Sequence, residues 1–272
     1  MRFADLGLVV AALLAALWLV SVVALGRANS GSRWVRLLSP PACVVGGIGA
    51  VLLVSQAAVV DAVEDGTAVA RWDRPVLDWI EGHRDGVLTA VMRAVSAVGG
   101  TVGMTVLAVA AVVVLIMCRR RPHAVLVAVT ALGAAALDTG FKHLYERARP
   151  PLTEQLTPET TFALPSGHSL GSTAVLGVLA VIGLLLLRRG TWRAGAVVVA
   201  VAGVLIIGVS RLYLGVHWLT DVLTGWLLGG AWLAMCVTAL LVYQIRRDAR
   251  RRGRVGEGGP VVSVASPTTA LP

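Results

Sequence analysis

The chain has 272 residues, of which 57% are hydrophobic and only 14% are charged. Soluble domains usually carry about a quarter charged residues, and several apolar runs here reach the ~20 residues that cross a hydrocarbon core as a helix. A packed soluble core would not need so many runs of this length, so the composition predicts an all-α, polytopic membrane protein. The net charge of +9 does not indicate nucleic-acid binding, because the arginines cluster between apolar runs and in the tail. That distribution is typical of topology signals.

Seven apolar runs predict about seven membrane spans. The first covers about residues 5–25 and is flanked by a single Arg2. Its end, Val23-Ala24-Leu25-Gly26, loosely resembles a signal-peptidase site, so a cleaved signal peptide is the alternative to a retained span. The other six runs cover about residues 42–60, 102–117, 123–141, 169–187, 194–209 and 218–243.

The segment 73–98 differs from a span because charged residues interrupt its apolar positions at helical spacing. This pattern is typical of amphipathic helices that lie in the membrane interface. Gly99-Gly100 predicts a break before the next span, and the segment 153–164, with prolines nearby, predicts a loop.

Basic clusters indicate which connections face the cytoplasm. The connections at 27–36, 119–121 and 188–193 and the tail after Arg246 are basic and alternate with the others, so the positive-inside rule places these four in the cytoplasm. The remaining connections and the N-terminus are then expected outside. We predict a multi-pass plasma-membrane protein of three parts: an extra span with a cytoplasmic loop, a membrane domain, and a basic, disordered cytoplasmic tail. Their predicted bounds are residues 1–38, 39–245 and 246–272.

Three polar segments interrupt the apolar runs between Lys142 and Asp221. The first runs from Lys142 to Pro150, and the second is Pro165-Ser166-Gly167-His168. The third begins at Ser210-Arg211 and continues through His217 to Asp221. All three lie at predicted outward ends of spans, so we expect them to form one site.

The second segment opens a helix, whose N-terminus presents free N–H groups and a positive dipole end to an anion. Glycine there allows close backbone approach, serine adds a hydroxyl donor, and arginines can bind two phosphate oxygens at once. These features predict a site for a tetrahedral, multiply charged oxyanion. Its expected binding residues are Lys142, Arg149, Ser166, Gly167 and Arg211, and Arg147 lies on the same predicted face.

His217 and Asp221 are four residues apart, which places them on one face of a helix. Asp221 could accept a proton from one imidazole nitrogen and leave the other free to attack. His168 is suited to protonate a leaving oxygen. Taken singly, each residue also has a structural interpretation: a hydrogen-bonded histidine, an Arg149 that anchors to lipid headgroups, and a Lys142 paired with Asp138.

The motifs Lys142-x6-Arg149-Pro150, Pro165-Ser166-Gly167-His168 and Ser210-Arg211-x5-His217-x3-Asp221 match, in order, the signature of the type-2 phosphatidic acid phosphatase superfamily. The resemblance covers the stretch from Lys142 to Asp221. It implies a six-helix phosphatase core, to which the first span is additional, and a metal-independent site without a cofactor on the extracytoplasmic side.

The same resemblance implies roles for the site residues. His217 would be the nucleophile that forms a phosphohistidine, Asp221 would orient it, and His168 would be the acid toward the leaving group. The resemblance also implies that the phosphoryl oxygens are bound by five residues: Lys142, Arg149, Ser166, Gly167 and Arg211.

We therefore expect a phosphatase for a lipid phosphomonoester or diphosphate. Undecaprenyl diphosphate, phosphatidylglycerophosphate and phosphatidate are the expected substrate classes, and the sequence does not choose among them. A lipid-linked phosphotransferase, a vanadate-dependent haloperoxidase and a non-catalytic lipid-phosphate binder are the alternatives. Haloperoxidases with a similar site are soluble, and a binder would need the cations but neither histidine. The three cysteines lie far apart and indicate neither a disulfide framework nor a zinc site, and no acidic cluster of metal-ligand spacing accompanies the polar segments.

Overall fold

The computed structural model describes the backbone of residues 40–257 and the side chains of residues 41–247. Within this range the chain forms eight α-helices and two short 3₁₀ helices, Ala68–Trp72 and Leu152–Glu154. The predicted first span lies outside the described residues. In chain order, the α-helices are α1 (Pro40–Asp65), α2 (Asp73–Gly82), α3 (Gly86–Gly99), α4 (Thr101–Met117), α5 (Arg121–Tyr145), α6 (Gly167–Leu186), α7 (Gly190–Tyr213) and α8 (Leu219–Glu257).

Five of these helices, α1, α5, α6, α7 and α8, are long and apolar enough to cross a membrane. The pair α3 and α4 meets the same criterion when taken together, with a bend of 47° between them. The described part of the chain therefore has five candidate spans, or six if the bent pair counts as one. This confirms the prediction of a polytopic helical membrane protein.

Several helices extend beyond the apolar runs that predicted them. Helix α7 includes Arg193 and Arg211 at its two ends, and α8 continues through residues 246–257, where the sequence predicted disorder. Hydropathy locates only the part of a helix that contacts lipid. Arginine is itself a good helix former, so backbone hydrogen bonding continues past the last apolar turn.

The amphipathic segment forms two helices, α2 and α3, separated by a short break. Asp85 ends the break and caps α3, because its Oδ1 accepts hydrogen bonds from the N–H groups of Val87 and Leu88, both at 2.9 Å. The hydroxyl of Tyr213, at the end of α7, accepts from the Asp85 N–H at 3.0 Å. Gly100 has an extended backbone between α3 and α4, as the predicted break requires.

Small residues allow α8 to lie directly on α6. A Cβ atom added to Gly225 would lie 2.7 Å from the carbonyl oxygen of Ser166, and one added to Gly229 would lie 2.8 Å from that of Leu170. Such close contacts are typical of helix packing in membranes, where small residues let backbones approach. The packing brings the first turn of α8 beside the N-terminus of α6, and the Ser166 N–H donates to the Asp221 carbonyl at 3.0 Å.

All three polar segments lie at the same end of the bundle. The end of α5, the start of α6, the end of α7 and the start of α8 meet there, together with α2, α3 and the loop between α5 and α6. The fold thus brings together residues that are up to 147 positions apart in the chain. That this end faces outside the cytoplasm stays a prediction.

Candidate active site

His217 lies in the turn between α7 and α8 and is 2% exposed. Its Nε2 is 3.1 Å from Arg149 Nη1, and its Nδ1 is 3.4 Å from Asp221 Oδ2. A guanidinium group can only donate hydrogen bonds, so Nε2 must be the acceptor and carries a lone pair. The proton of the neutral ring is then on Nδ1, directed at the Asp221 carboxylate.

Asp221 is fully buried in the first turn of α8. Its Oδ2 accepts a hydrogen bond from the Trp218 N–H at 2.8 Å, and its Oδ1 accepts from Arg147 Nη1 at 2.5 Å. His217 precedes α8, which begins at Leu219. The expectation that both residues share one helical face was therefore wrong, because the pair joins the turn to the first helical turn.

Arg149 is held by the loop around it. Its Nε donates to the Thr161 carbonyl at 2.6 Å, its Nη1 to the Val216 carbonyl at 2.7 Å, and its Nη2 to the Thr161 hydroxyl at 2.9 Å. These acceptors are neutral, so they orient the guanidinium without cancelling its charge. Arg149 thereby keeps a positive charge beside His217 Nε2.

Ser166 is the N-cap of α6, as the sequence predicted for the start of a helix. Its Oγ accepts from the Ser169 hydroxyl at 3.1 Å, which leaves the Ser166 hydroxyl proton available as a donor. A Cβ on Gly167 would lie 2.8 Å from both oxygens of Asp138, so a side chain at this position would displace that carboxylate. Asp138 Oδ2 in turn accepts from Lys142 Nζ at 3.0 Å, which confirms that pair.

His168 and Arg211 approach the site from the side of α3. His168 follows Gly167 in the first turn of α6, and a Cβ on Gly100 would lie 3.0 Å from its Nε2. Arg211, 2% exposed, donates from Nη1 to the Ser96 hydroxyl at 2.5 Å and from Nη2 to Glu159 Oε1 at 2.6 Å. The carboxylate of Glu159, in the loop between α5 and α6, therefore occupies one of the guanidinium donors of Arg211.

Burial lowers the pKa of His217 well below its ordinary value of 6.5, and the positive charges of Arg149, Arg211 and Lys142 lower it further. The neutral imidazole is accordingly the form that the site favours. Burial raises the pKa of Glu159, but the hydrogen bond from Arg211 and the charges of Arg211 and Arg149 outweigh it, so this pKa is lowered. Glu159 is therefore ionised at neutral pH.

The structure thus brings all the predicted site residues to one end of the bundle, and their catalytic and binding roles remain predictions. Sequence reasoning missed several residues that contact them. A signal existed only for Arg147, which lies inside the first polar segment. The missed residues are Asp73, Ser96, Glu159 and Thr220, whereas Arg147 was placed on the same face without a predicted contact.

A comparison with family models decides the relationship. Residues 123–247 match the model described as the PAP2 superfamily. These residues belong to the PAP2 superfamily. The matched segment contains the three polar segments, nearly all of α5, helices α6 and α7, and α8 up to Arg247, so the resemblance inferred from the motifs is confirmed.

Two curated proteins are similar over about half of their length. Phosphatidylglycerophosphatase B of Bacillus subtilis is 38% identical over 97 residues, which are 34% of this chain and 46% of that protein. Undecaprenyl-diphosphatase of Sulfolobus acidocaldarius is 31% identical over 125 residues, 44% of this chain and 56% of that protein. The aligned segments span about half the length of these curated relatives.

The fold is similar to that of a solved PAP2 structure. The crystal structure of a transmembrane PAP2 type phosphatidylglycerolphosphate phosphatase from Bacillus subtilis superposes with a TM-score of 0.60 and 24% identity. The match covers 75% of this chain and 96% of that one. The helical arrangement of the PAP2 bundle is therefore common to both chains.

Proposed function

We propose that this PAP2 chain is a metal-independent phosphatase that hydrolyses a lipid phosphomonoester or diphosphate through a phosphohistidine, at the extracytoplasmic membrane face. One observation carries the proposal. Nε2 of the buried His217 carries a lone pair beside the Arg149 guanidinium, while Nδ1 is directed at Asp221. A neutral imidazole oriented by a carboxylate, beside a cation able to bind phosphate, is the arrangement that nucleophilic catalysis requires.

In the first step, His217 Nε2 attacks phosphorus and forms a P–N bond. The bond from phosphorus to the leaving oxygen breaks, and His168 donates a proton to that oxygen. The imidazole becomes positively charged, and the Asp221 carboxylate stabilises this charge through Nδ1–H. The products are a phosphohistidine and either a lipid alcohol or a lipid monophosphate.

In the second step, water attacks the phosphohistidine. His168, now neutral, accepts a proton from the water, the P–N bond breaks, and its electron pair returns to Nε2. Inorganic phosphate leaves and the starting enzyme is restored. The same residue acts first as acid and then as base, as microscopic reversibility requires.

Three cationic side chains and one helix N-terminus are proposed to stabilise the negative charge of the phosphoryl group. Lys142, Arg149 and Arg211 surround His217 closely enough to act on its pKa, and the N-terminus of α6 adds backbone N–H groups. Phosphoryl transfer depends mainly on positioning and charge stabilisation. Within residues 41–247, no three His, Cys, Asp or Glu side chains cluster as a metal site would require.

The location of the site favours a lipid substrate. Its residues lie where four candidate spans end, which is the depth of a lipid headgroup in the interface. The relatives named phosphatidylglycerophosphatase and undecaprenyl-diphosphatase support this class of substrate.

The deciding experiment is phosphate release by the purified protein in detergent. The panel contains phosphatidylglycerophosphate, phosphatidate and undecaprenyl diphosphate, each with and without EDTA and orthovanadate. We expect release from at least one lipid, unchanged by EDTA and inhibited by vanadate. Phosphate that appears on an added alcohol acceptor instead of in solution would indicate a phosphotransferase. Halide oxidation with added vanadate, or binding without turnover, would contradict the proposal.

The pH dependence of kcat/KM should reflect the lowered pKa of His217. Attack requires the neutral imidazole, and a lowered pKa means that this form persists as the pH falls below 6.5. The acid limb of the kcat/KM profile is therefore expected well below pH 6.5. The alkaline decline is expected in kcat, which reports the complex in which phosphate lies beside His168, once His168 has lost its proton.

The substrate itself can produce an acid limb, because a phosphate monoester takes up its second proton at a pH of about 6. The profile should therefore be repeated with an ester of a more acidic alcohol, whose second ionisation lies lower. A limb that does not move with the substrate belongs to the enzyme. An enzyme limb at or above pH 6.5 would show that His217 is not held neutral.

Glu159→Gln is expected to lower KM about three- to tenfold, with a smaller effect on kcat. The Glu159 carboxylate accepts from Arg211 Nη2 at 2.6 Å, so a phosphate oxygen must displace it. A charge-assisted hydrogen bond contributes about 1.5–3 kcal/mol, and glutamine competes for the guanidinium without charge. Steady-state kinetics on the preferred lipid measure the change.

Glu154→Gln is the matched control, because Glu154 lies on the same loop and pairs with the exposed Arg74 at 2.9 Å. This variant should retain the KM of the unmodified protein. An unchanged or raised KM in Glu159→Gln would show that Glu159 does not compete with substrate.

A further inference from the structure

We propose that Arg147 and Asp73 are positioning residues that hold the Asp221 carboxylate in the orientation His217 needs. This inference rests on the function proposed above. Neither residue belongs to the predicted set of catalytic and phosphate-binding side chains. Both act on the reaction through Asp221 alone.

The contacts form a continuous network in which Asp221 and Thr220 are fully buried and Arg147 is partly buried. Arg147 Nη1 donates to Asp221 Oδ1 at 2.5 Å and to the Thr220 hydroxyl at 2.7 Å, and its Nη2 donates to Asp73 Oδ2 at 2.7 Å. Asp73 Oδ1 also accepts from the Thr220 N–H at 2.9 Å, and its Oδ2 from the Thr220 hydroxyl at 2.7 Å. One guanidinium therefore connects the loop after α5 with the first turns of α2 and α8.

Arg147 and Arg149, both in the first polar segment, contact different residues of the site. Arg149 reaches His217 Nε2, the nitrogen proposed to attack phosphorus, and its other acceptors are neutral. Arg147 reaches the far oxygen of Asp221, and both of its η nitrogens already donate to carboxylates. Three of the five N–H donors of Arg147 are therefore directed at Asp221, Thr220 and Asp73, and its charge lies between two carboxylates.

Charge explains why Asp221 needs this partner. The charged and titratable groups that act on the fully buried carboxylate are Arg147, Arg149 and His217, with Asp73 on the other side of Arg147. An ionised carboxylate in a buried site requires compensation. Without Arg147, two carboxylates would share the site, and proton uptake by Asp221 would remove the negative charge toward which His217 Nδ1–H is directed.

The first test is Arg147→Gln, measured in detergent with the preferred lipid. We expect kcat to fall about 10- to 100-fold, as when outer partners that orient a reactive histidine are removed from metal sites. KM should change little, because the phosphate-binding cations remain. The acid limb of kcat/KM should move to higher pH, since Asp221 takes up a proton more readily.

Two variants show whether the loss is specific. Arg147→Lys keeps the charge but cannot contact both carboxylates, so it should restore part of kcat. Arg74→Gln removes an exposed arginine from the neighbouring α2 and should change neither kcat nor the pH profile. A lower kcat with an unmoved acid limb would indicate a merely structural role and overturn the proposal.

A double-mutant cycle tests the route of the effect. If Arg147 acts through Asp221, adding Arg147→Gln to Asp221→Asn should cost no further kcat. Additive losses would show that Arg147 acts elsewhere. Asp73→Asn should lower kcat by a smaller factor than Arg147→Gln does. Its control is Asp78→Asn, an exposed position on the same helix that should leave kcat unchanged. If Arg147→Gln does not fold, Asp73→Asn is the variant that tests the proposal.

A readout without turnover separates this inference from the proposed function. If the unmodified protein releases phosphate from no lipid, the proposed function fails. The positioning role is then tested by ¹⁵N NMR of the His217 ring, assigned by its absence in His217→Ala. The Nδ1–H tautomer should dominate in the unmodified protein and decline in Arg147→Gln. An unchanged tautomer would overturn the proposal.

Discussion

His217→Ala is expected to lower phosphate release by about 10⁴-fold or more, the scale of loss when a covalent nucleophile is removed. The substitution removes the only group proposed to attack phosphorus. The cations Lys142, Arg149 and Arg211 and the N-terminus of α6 stay in place, so orthovanadate should still bind with an affinity changed only severalfold. Single-turnover phosphate release and vanadate-dependent thermal stabilisation measure the two quantities.

His143→Ala is the matched control, because His143 is exposed at the same end of the bundle and contacts Phe162 edge-on, with ring centroids 6.1 Å apart. This variant should retain normal turnover. The unmodified protein, quenched during turnover with a radiolabelled phosphoryl donor, should carry label that is stable in alkali and lost in acid. Normal activity of His217→Ala, or label on another residue, would refute the nucleophile assignment.

His168→Ala is expected to lower kcat on a lipid substrate by about 10² to 10⁴-fold, the usual contribution of a general acid or base. The size of the loss should depend on the leaving group. A lipid alkoxide needs a proton as it departs, whereas a nitrophenolate does not, so p-nitrophenyl phosphate should lose much less. Comparing kcat for the two substrates isolates the proton transfer in the first step.

The same comparison on Ser96→Ala is the matched control, because Ser96 contacts Arg211 and its hydroxyl is too weak an acid to act as the general acid. Its effect should be similar for both substrates. If His168→Ala also lost the same factor with both, His168 would act in binding instead of proton transfer. The acid assignment would then be wrong.

Much of the bundle could be predicted from hydropathy and charge, because a membrane imposes length and polarity on each span. The run at 42–60, for example, identified α1 with only a few residues missing at either end. The prediction of amphipathic helices at 73–98 was also sound, since charged residues at helical spacing cannot face lipid all round. Helix ends were less accurate, as with Arg193 and Arg211, because polar residues continue a helix beyond the apolar core.

The contacts of the site could not be predicted to the same extent. The pairing of Glu159 with Arg211 joins a loop to a helix end 52 positions away, and no local pattern specifies how a loop folds back. Arg147 and Arg149 look equivalent in the sequence, two residues apart. Only the left-handed turn at Glu146 and the loop that follows direct one guanidinium to Asp221 and the other to His217.

Because every candidate side chain sits at one end of the bundle, the proposed reaction would draw only on lipids of the adjacent leaflet. Headgroups in the opposite monolayer are separated from His217 by the full length of α6 and α7. Turnover in a sealed vesicle should therefore stop when one monolayer is depleted, unless a flippase or spontaneous flip-flop replenishes it. A cell that makes such lipids on the other side must first carry them across, so translocation, and not hydrolysis, could set the overall flux.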